Sequence, residues 1–172
     1  MDFQILKKNV DPTICFARVS LSQAMDIFNS FNKHKDNRIL VIDDEEFCLS
    51  SMRAVLFSLG VDVDYQVEFC ITGKEAYEQI KRTYEWGMKY ALIFTDFNMP
   101  VMNGINATVK IRKYLENDLN INREDQPKII GVTGHVMDSF KQEGRKAGMD
   151  EILGKPLYAD ALKEIFNKYY SK

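Results

Sequence analysis

From Arg38 onward, apolar runs and polar breaks alternate in a steady rhythm. Ile39-Leu40-Val41-Ile42, Ala91-Leu92-Ile93-Phe94-Thr95 and Lys128-Ile129-Ile130-Gly131-Val132 are short runs that do not alternate, the pattern of strands buried on both faces of a parallel sheet. Tyr65-Gln66-Val67-Glu68-Phe69-Cys70 alternates and predicts an edge strand, and Glu151-Ile152-Leu153-Gly154 predicts a short fifth one. Helical spacing fills the intervals. Leu49, Met52, Val55 and Leu56 predict a helix stopped at Gly60, and Thr72-Gly73-Lys74-Glu75 opens a second through Ala76, Tyr77, Ile80 and Tyr84. Ile105, Val109, Ile111 and Leu115 predict a third. Met137 to Ala147 predicts an exposed fourth closed by Gly148, and Tyr158 to Tyr170 a last one with Leu162, Ile165 and Phe166 inward. Asn117 to Pro127 has no period and reads as a tolerated surface loop. Strands and helices alternating five times predict an α/β fold built on a doubly wound, five-stranded parallel sheet.

Before Arg38 the pattern weakens. Ile14 to Val19 suits a short strand, Ser22 could cap a helix carrying Ala24, Met25, Ile27, Phe28 and Phe31, and Asn32 to Asn37 is a polar break. Residues 1–37 are therefore expected to be an N-terminal extension or linker, and 38–172 the main domain. His34 falls in the linker and takes no role. A chain of 172 residues, 45% hydrophobic and 28% charged, suits one domain with a real core. A net charge of -2 and a pI near 5.8 give no basic field for nucleic acid or an anionic membrane. Cys15, Cys48 and Cys70 are odd in number and widely spaced, so reduced thiols are expected, at least two of them in the core. No leader pattern and no bilayer-length apolar run is present, and a cytoplasmic location is expected.

Chemistry gathers where the strands end. The first stops at Asp43-Asp44, the third at Asp96 before a turn containing Asn98, Pro100, Asn103 and Gly104, the fourth at Thr133, and the fifth runs into Lys155-Pro156. In a parallel sheet these ends share one edge, where open α/β folds place their ligands. Carboxylates held together repel and raise one another's pKa, so the cluster calls for a hard cation with oxygen ligands, Mg²⁺ by default. With Lys155 and the Thr133 hydroxyl added, the edge can hold a phosphoryl group and neutralise its oxygens. An NTPase reading of Asp43-Asp44 fails for want of a phosphate loop, since Gly73-Lys74-Glu75 lacks the upstream glycine and the Ser or Thr. A Mg²⁺-dependent phosphatase on the same frame is the alternative, weakened because Asn98 stands where an acid/base would be needed.

Taken in order, these residues resemble the receiver domain of two-component response regulators, over about residues 38 to 170, with Gly73-Lys74-Glu75-Ala76 resembling that family's second-helix start. The resemblance implies a flavodoxin-like (βα)5 fold and phosphorelay signalling. It implies that Asp96 is the phosphoacceptor and takes the phosphoryl group from phosphohistidine. Asp44 and Asp96 would bind Mg²⁺ directly, Asp43 through water, and the Asn98 backbone carbonyl would complete the protein ligands. Thr133 would hydrogen-bond the arriving oxygens and Lys155 would pair with them. A histidine kinase or histidine phosphotransfer protein would act upstream, and an output partner would meet helix 137–147, strand 151–154 and the last helix. The chain would catalyse only its own phosphorylation and dephosphorylation, as a single-domain regulator or as the receiver piece of a hybrid histidine kinase. Thr133-Gly134-His135-Val136-Met137 is similar to receivers of hybrid kinases. His135, with Asn98, would then tune water access to the acyl phosphate, or else be a loop histidine without a role. The Lys155-Pro156 bond is a candidate for the cis isomer. Ile152 stands where the family often has an aromatic switch residue, which shifts the expected output onto Thr133 and helix 137–147 and leaves a degenerate docking module as a further alternative.

Overall fold

In the computed structural model of the chain, the described residues are 36–134 and 137–170, together with Met25. The strand at 14–19, the rest of the helix capped by Ser22, Cys15 and His135 lie outside them. Five strands form one parallel sheet: β1 (Arg38–Ile42), β2 (Val67–Cys70), β3 (Tyr90–Asp96), β4 (Lys128–Thr133) and β5 (Glu151–Gly154), in the order β2-β1-β3-β4-β5. The connecting helices are α1 (Glu46–Ser58), α2 (Gly73–Glu85), α3 (Gly104–Lys113), α4 (Asp138–Ala147) and α5 (Ala159–Tyr169).

The three non-alternating runs are the central strands, and each divides its side chains between two cores. Leu40, Ile42, Ile93 and Ile129 join Ala76, Ile80, Ala107 and Ile111 on the face of α2 and α3. Ile39, Val41, Leu92, Phe94, Ile130 and Val132 join Met52, Leu56, Leu162 and Ile165 on the face of α1 and α5. All of these are at most 5% exposed, and burying each of the side chains larger than alanine contributes roughly 1.5–3 kcal/mol. Among the described residues no helix is long and apolar enough to cross a membrane.

Some expectations need correction. Tyr65 and Gln66 are not strand: Val63–Gln66 is a single helical turn, held by Gln66 N to Asp62 O at 2.8 Å, with the Gln66 side chain accepting from Asp62 N at 2.9 Å. The alternation that suggested strand begins only at Val67, which does lie on the sheet edge. The third helix also runs on past its predicted end, as a π turn over Tyr114–Asp118. The polar loop that follows is anchored rather than loose, because Gln126 is 4% exposed and accepts from the buried Arg112 Nη1 at 3.0 Å. Of the cysteines in the described residues, Cys70 is core but Cys48 is half-buried beside the acidic edge.

Candidate functional site

Strand register sets the geometry. Ile42 pairs with Thr95, so Asp43 lies level with Asp96; Asp96 pairs with Val132, and Thr133 with Gly154. The order of strands reverses between β1 and β3, so Asp43 and Asp96 stand at the topological switch point, with Thr133 and Lys155 on the next two strands. Asp43 and Asp96 are each 6% exposed and Thr133 is fully buried, whereas Asp44 and Asn98 are exposed.

One lysine ties the edge together. Lys155 Nζ lies 2.7 Å from Asp43 Oδ2 and 2.7 Å from Asp96 Oδ1. Its own backbone N donates to the Thr133 carbonyl at 2.8 Å, and the Lys155-Pro156 bond is cis. The second oxygen of Asp96 accepts from the Asn98 backbone N at 2.6 Å, and the second oxygen of Asp43 accepts from Glu45 N at 3.1 Å. Helix α3 begins directly against the end of β3. A Cβ on Gly104 would come within 2.0 Å of the Asp96 carbonyl oxygen, so only glycine permits this approach.

Burial pushes the Asp96 carboxyl above its ordinary value, although Lys155 and the Asn98 amide pull it back. Burial likewise depresses the Lys155 ammonium, but its hydrogen bonds to Asp43 and Asp96 outweigh that and hold it above the usual lysine value. The edge therefore holds a charged lysine and more carboxylate than one lysine neutralises, which is a donor set suited to a hard divalent cation.

The structure brings together Asp43, Asp96 and Lys155, with Thr133 in register on the neighbouring strand. It leaves Asp44 exposed beside Asp43 and Asn98 on the turn. The strand-end argument passes over Glu45 and Cys48. Donor atoms of Asp43, Glu45 and Cys48 lie within 4.8 Å of one another, and Cys48 Sγ donates to Glu45 Oε2 at 3.1 Å. Burial first, and Glu45 second, push that thiol up to about 11. The signal available in the sequence was the three-residue spacing from Glu45, the N-cap of α1, to Cys48 one turn in.

Comparison with known proteins identifies the family and the fold. The family of the response regulator receiver domain matches residues 39–167. The aerobic respiration control sensor protein ArcB of Escherichia coli is 33% identical over 132 residues, which is 77% of this chain and 15% of that protein. The chain thus spans a small part of the length of that relative. Among solved structures, the receiver domain of a Pseudomonas aeruginosa sensor histidine kinase is 25% identical with a TM-score of 0.61, over 78% of this chain and 97% of that one. That domain was crystallised with a magnesium ion coordinated in its active-site cleft. The Saccharomyces cerevisiae response regulator Ssk1, solved with the histidine phosphotransfer protein Ypd1, gives a TM-score of 0.65 at 22% identity, over 78% of this chain and 88% of that one. With Asp43, Asp96, Thr133 and Lys155 on one edge of a 2-1-3-4-5 sheet, the chain belongs to the response regulator receiver domain family and serves two-component phosphorelay signalling.

Proposed function

We propose that Asp96 accepts a phosphoryl group from a phosphohistidine on a histidine kinase or histidine phosphotransfer protein, in a Mg²⁺-dependent step. The observation that carries this reading is the Lys155 ammonium shared at 2.7 Å between Asp43 and Asp96. A carboxylate oxygen of Asp96 attacks phosphorus and the phosphorus–nitrogen bond to the donor imidazole breaks. The imidazole nitrogen leaves with the bonding pair and takes up a proton. The Asn98 amide holds one Asp96 oxygen and Lys155 the other, so the carboxylate is oriented before the donor arrives. Lys155 then transfers its hydrogen bond to the phosphoryl oxygens, and Thr133, at the end of β4, donates its hydroxyl to them.

Asp43, Asp44, Asp96 and the Asn98 carbonyl would hold Mg²⁺, which neutralises the phosphoryl oxygens when bound. The donor set fits such an ion, because Asp43 and Asp96 share a single ammonium, which leaves negative charge over. The magnesium-bound relative and the phosphotransfer complex of the yeast regulator support the same reading by analogy. Slow loss of the phosphate by hydrolysis would reset the chain. Residues 1–37 would be an extension of the 38–172 receiver unit, either in a single-domain regulator or in a cytoplasmic portion of a hybrid kinase. The output face would comprise α4, β5 and α5.

Incubation with acetyl phosphate and Mg²⁺ tests the acceptor. Intact mass should show one added phosphoryl group, lost in Asp96→Asn and abolished by chelation of Mg²⁺. Persistence of the adduct in Asp96→Asn, or none in the unaltered chain, overturns the assignment.

A further inference from the structure

Phe97 follows the acceptor directly and is 2% exposed. Its backbone is held on both sides, N–H to the Val132 carbonyl at 3.1 Å and carbonyl to Gly104 N at 3.2 Å. Asp96 and Phe97 are joined by one peptide, with the carboxylate at the sheet edge and the ring in the core beneath α4.

Two glycines form the slot that this ring fills. A Cβ on Gly131 would lie 2.4 Å from Phe97 Cε2 and 2.5 Å from Met149 Sδ. A Cβ on Gly144, in α4, would lie 3.0 Å from Phe97 Cζ, 3.0 Å from Met149 Sδ and 3.1 Å from Ile152 Cδ1. The ring thus touches β4 on one side and α4 on the other, with no room to yield. It also meets Phe140 of α4 edge-on, with centroids 6.3 Å apart and planes at 69°. Interiors packed this closely transmit a displacement instead of absorbing it.

Helix α4 is the element most easily moved by such a push. Its buried residues are Gly144 and Ala147, and Phe140 is the large apolar side chain it packs against the core. Few buried contacts place a helix at the low end of local stability. Ile152 lines the same slot, so the position that often carries an aromatic switch here supplies an aliphatic wall.

We propose that the state of Asp96 reaches α4 through Phe97, whose ring is wedged between Gly131 and Gly144 and bears on Phe140. This route rests on Asp96 being the acceptor. Phe97 and Phe140 are positioning residues in it, and neither touches the phosphoryl group.

Hydrogen exchange of the 138–147 amides in the full chain, without and with beryllium fluoride and Mg²⁺, reads the route. In the unaltered chain the exchange rates should change by at least about fivefold, the size of a modest coupling. In Phe140→Ala the change should shrink to under about twofold, while the acetyl phosphate rate stays within about twofold of normal. Phe140→Tyr, which keeps the ring, should keep the response, and urea unfolding of Phe140→Ala separates a lost route from lost stability. Phe140→Leu serves as the ring-deleting variant should the alanine form fail to fold. A full α4 response in Phe140→Ala or Phe140→Leu overturns the route alone. Absence of an aspartyl adduct in the unaltered chain overturns the acceptor reading and the route with it.

Discussion

Asp96 carries a cost that its chemistry requires. Buried at 6% exposure, its carboxyl is held above the ordinary value in the folded chain, so the native state binds this proton more readily than the unfolded state does. Stability from this group is fully present below the unfolded value of 3.8 and is lost as pH rises through the folded value. Asp96→Asn removes the charge and keeps one accepting oxygen, so its amide NH2 gives up one of the two bonds that Asp96 accepts from Lys155 and the Asn98 N–H. Its Tm relative to that of the parent, without Mg²⁺, should be higher at pH 7 than at pH 4. Thermal melts across that range check the sign, and a relative Tm that rises in acid contradicts it.

Helix α3 and the loop after it show what a sequence conceals. Arg112 is 7% exposed, and its guanidinium bonds Asp150 at 2.8 Å, Gln126 at 3.0 Å, the Pro127 carbonyl at 2.9 Å and the Gly148 carbonyl at 3.1 Å. Burial lowers it to about 10, and repulsion from Arg123 adds to that. Asp150→Ala strands this cation and frees Ile129 N, a loss of about 3–5 kcal/mol. Arg123→Ala removes a half-exposed partner of the same carboxylate and should cost about 1 kcal/mol or less. Urea unfolding of the two variants measures the difference. The central strands were legible because short apolar runs that do not alternate, such as Ile39 to Ile42, fit strands buried on both faces of a sheet. The acceptor edge was legible because register in a parallel sheet aligns strand ends. The Arg112 clamp was not, since one arginine on a helix resembles any solvated charge until Asp150 and Gln126 arrive from distant segments. The turn at Val63–Gln66 was missed for a related reason: the Asp62–Gln66 bonds overrode a strand-like alternation.

Across the whole molecule, exposed apolar side chains follow every strand at the acceptor edge. Phe47 is 82% exposed, Ile71 53%, Val101 85%, Met137 58% and Tyr158 68%, one after each of β1 to β5. Asp96 is 6% exposed at the same end of the sheet, so if it is the acceptor, a protein donor has to seat on that edge to bring phosphorus into line with the carboxylate, whereas acetyl phosphate need not. Val101 sharpens the point. It adopts φ 67, a left-handed conformation that costs a residue with a Cβ about 1–2 kcal/mol, yet its side chain buries nothing in the chain itself. Such strain at a functional edge has a use when a partner covers the side chain. Val101→Asn should therefore raise stability by about 1 kcal/mol, because asparagine tolerates this conformation. Paired with Phe47→Ser, it should leave the acetyl phosphate rate within about twofold and slow transfer from a phosphorylated histidine phosphotransfer protein by tenfold or more, as loss of a buried interface anchor does. Equal slowing with both donors would place these side chains in the chemistry and not in docking.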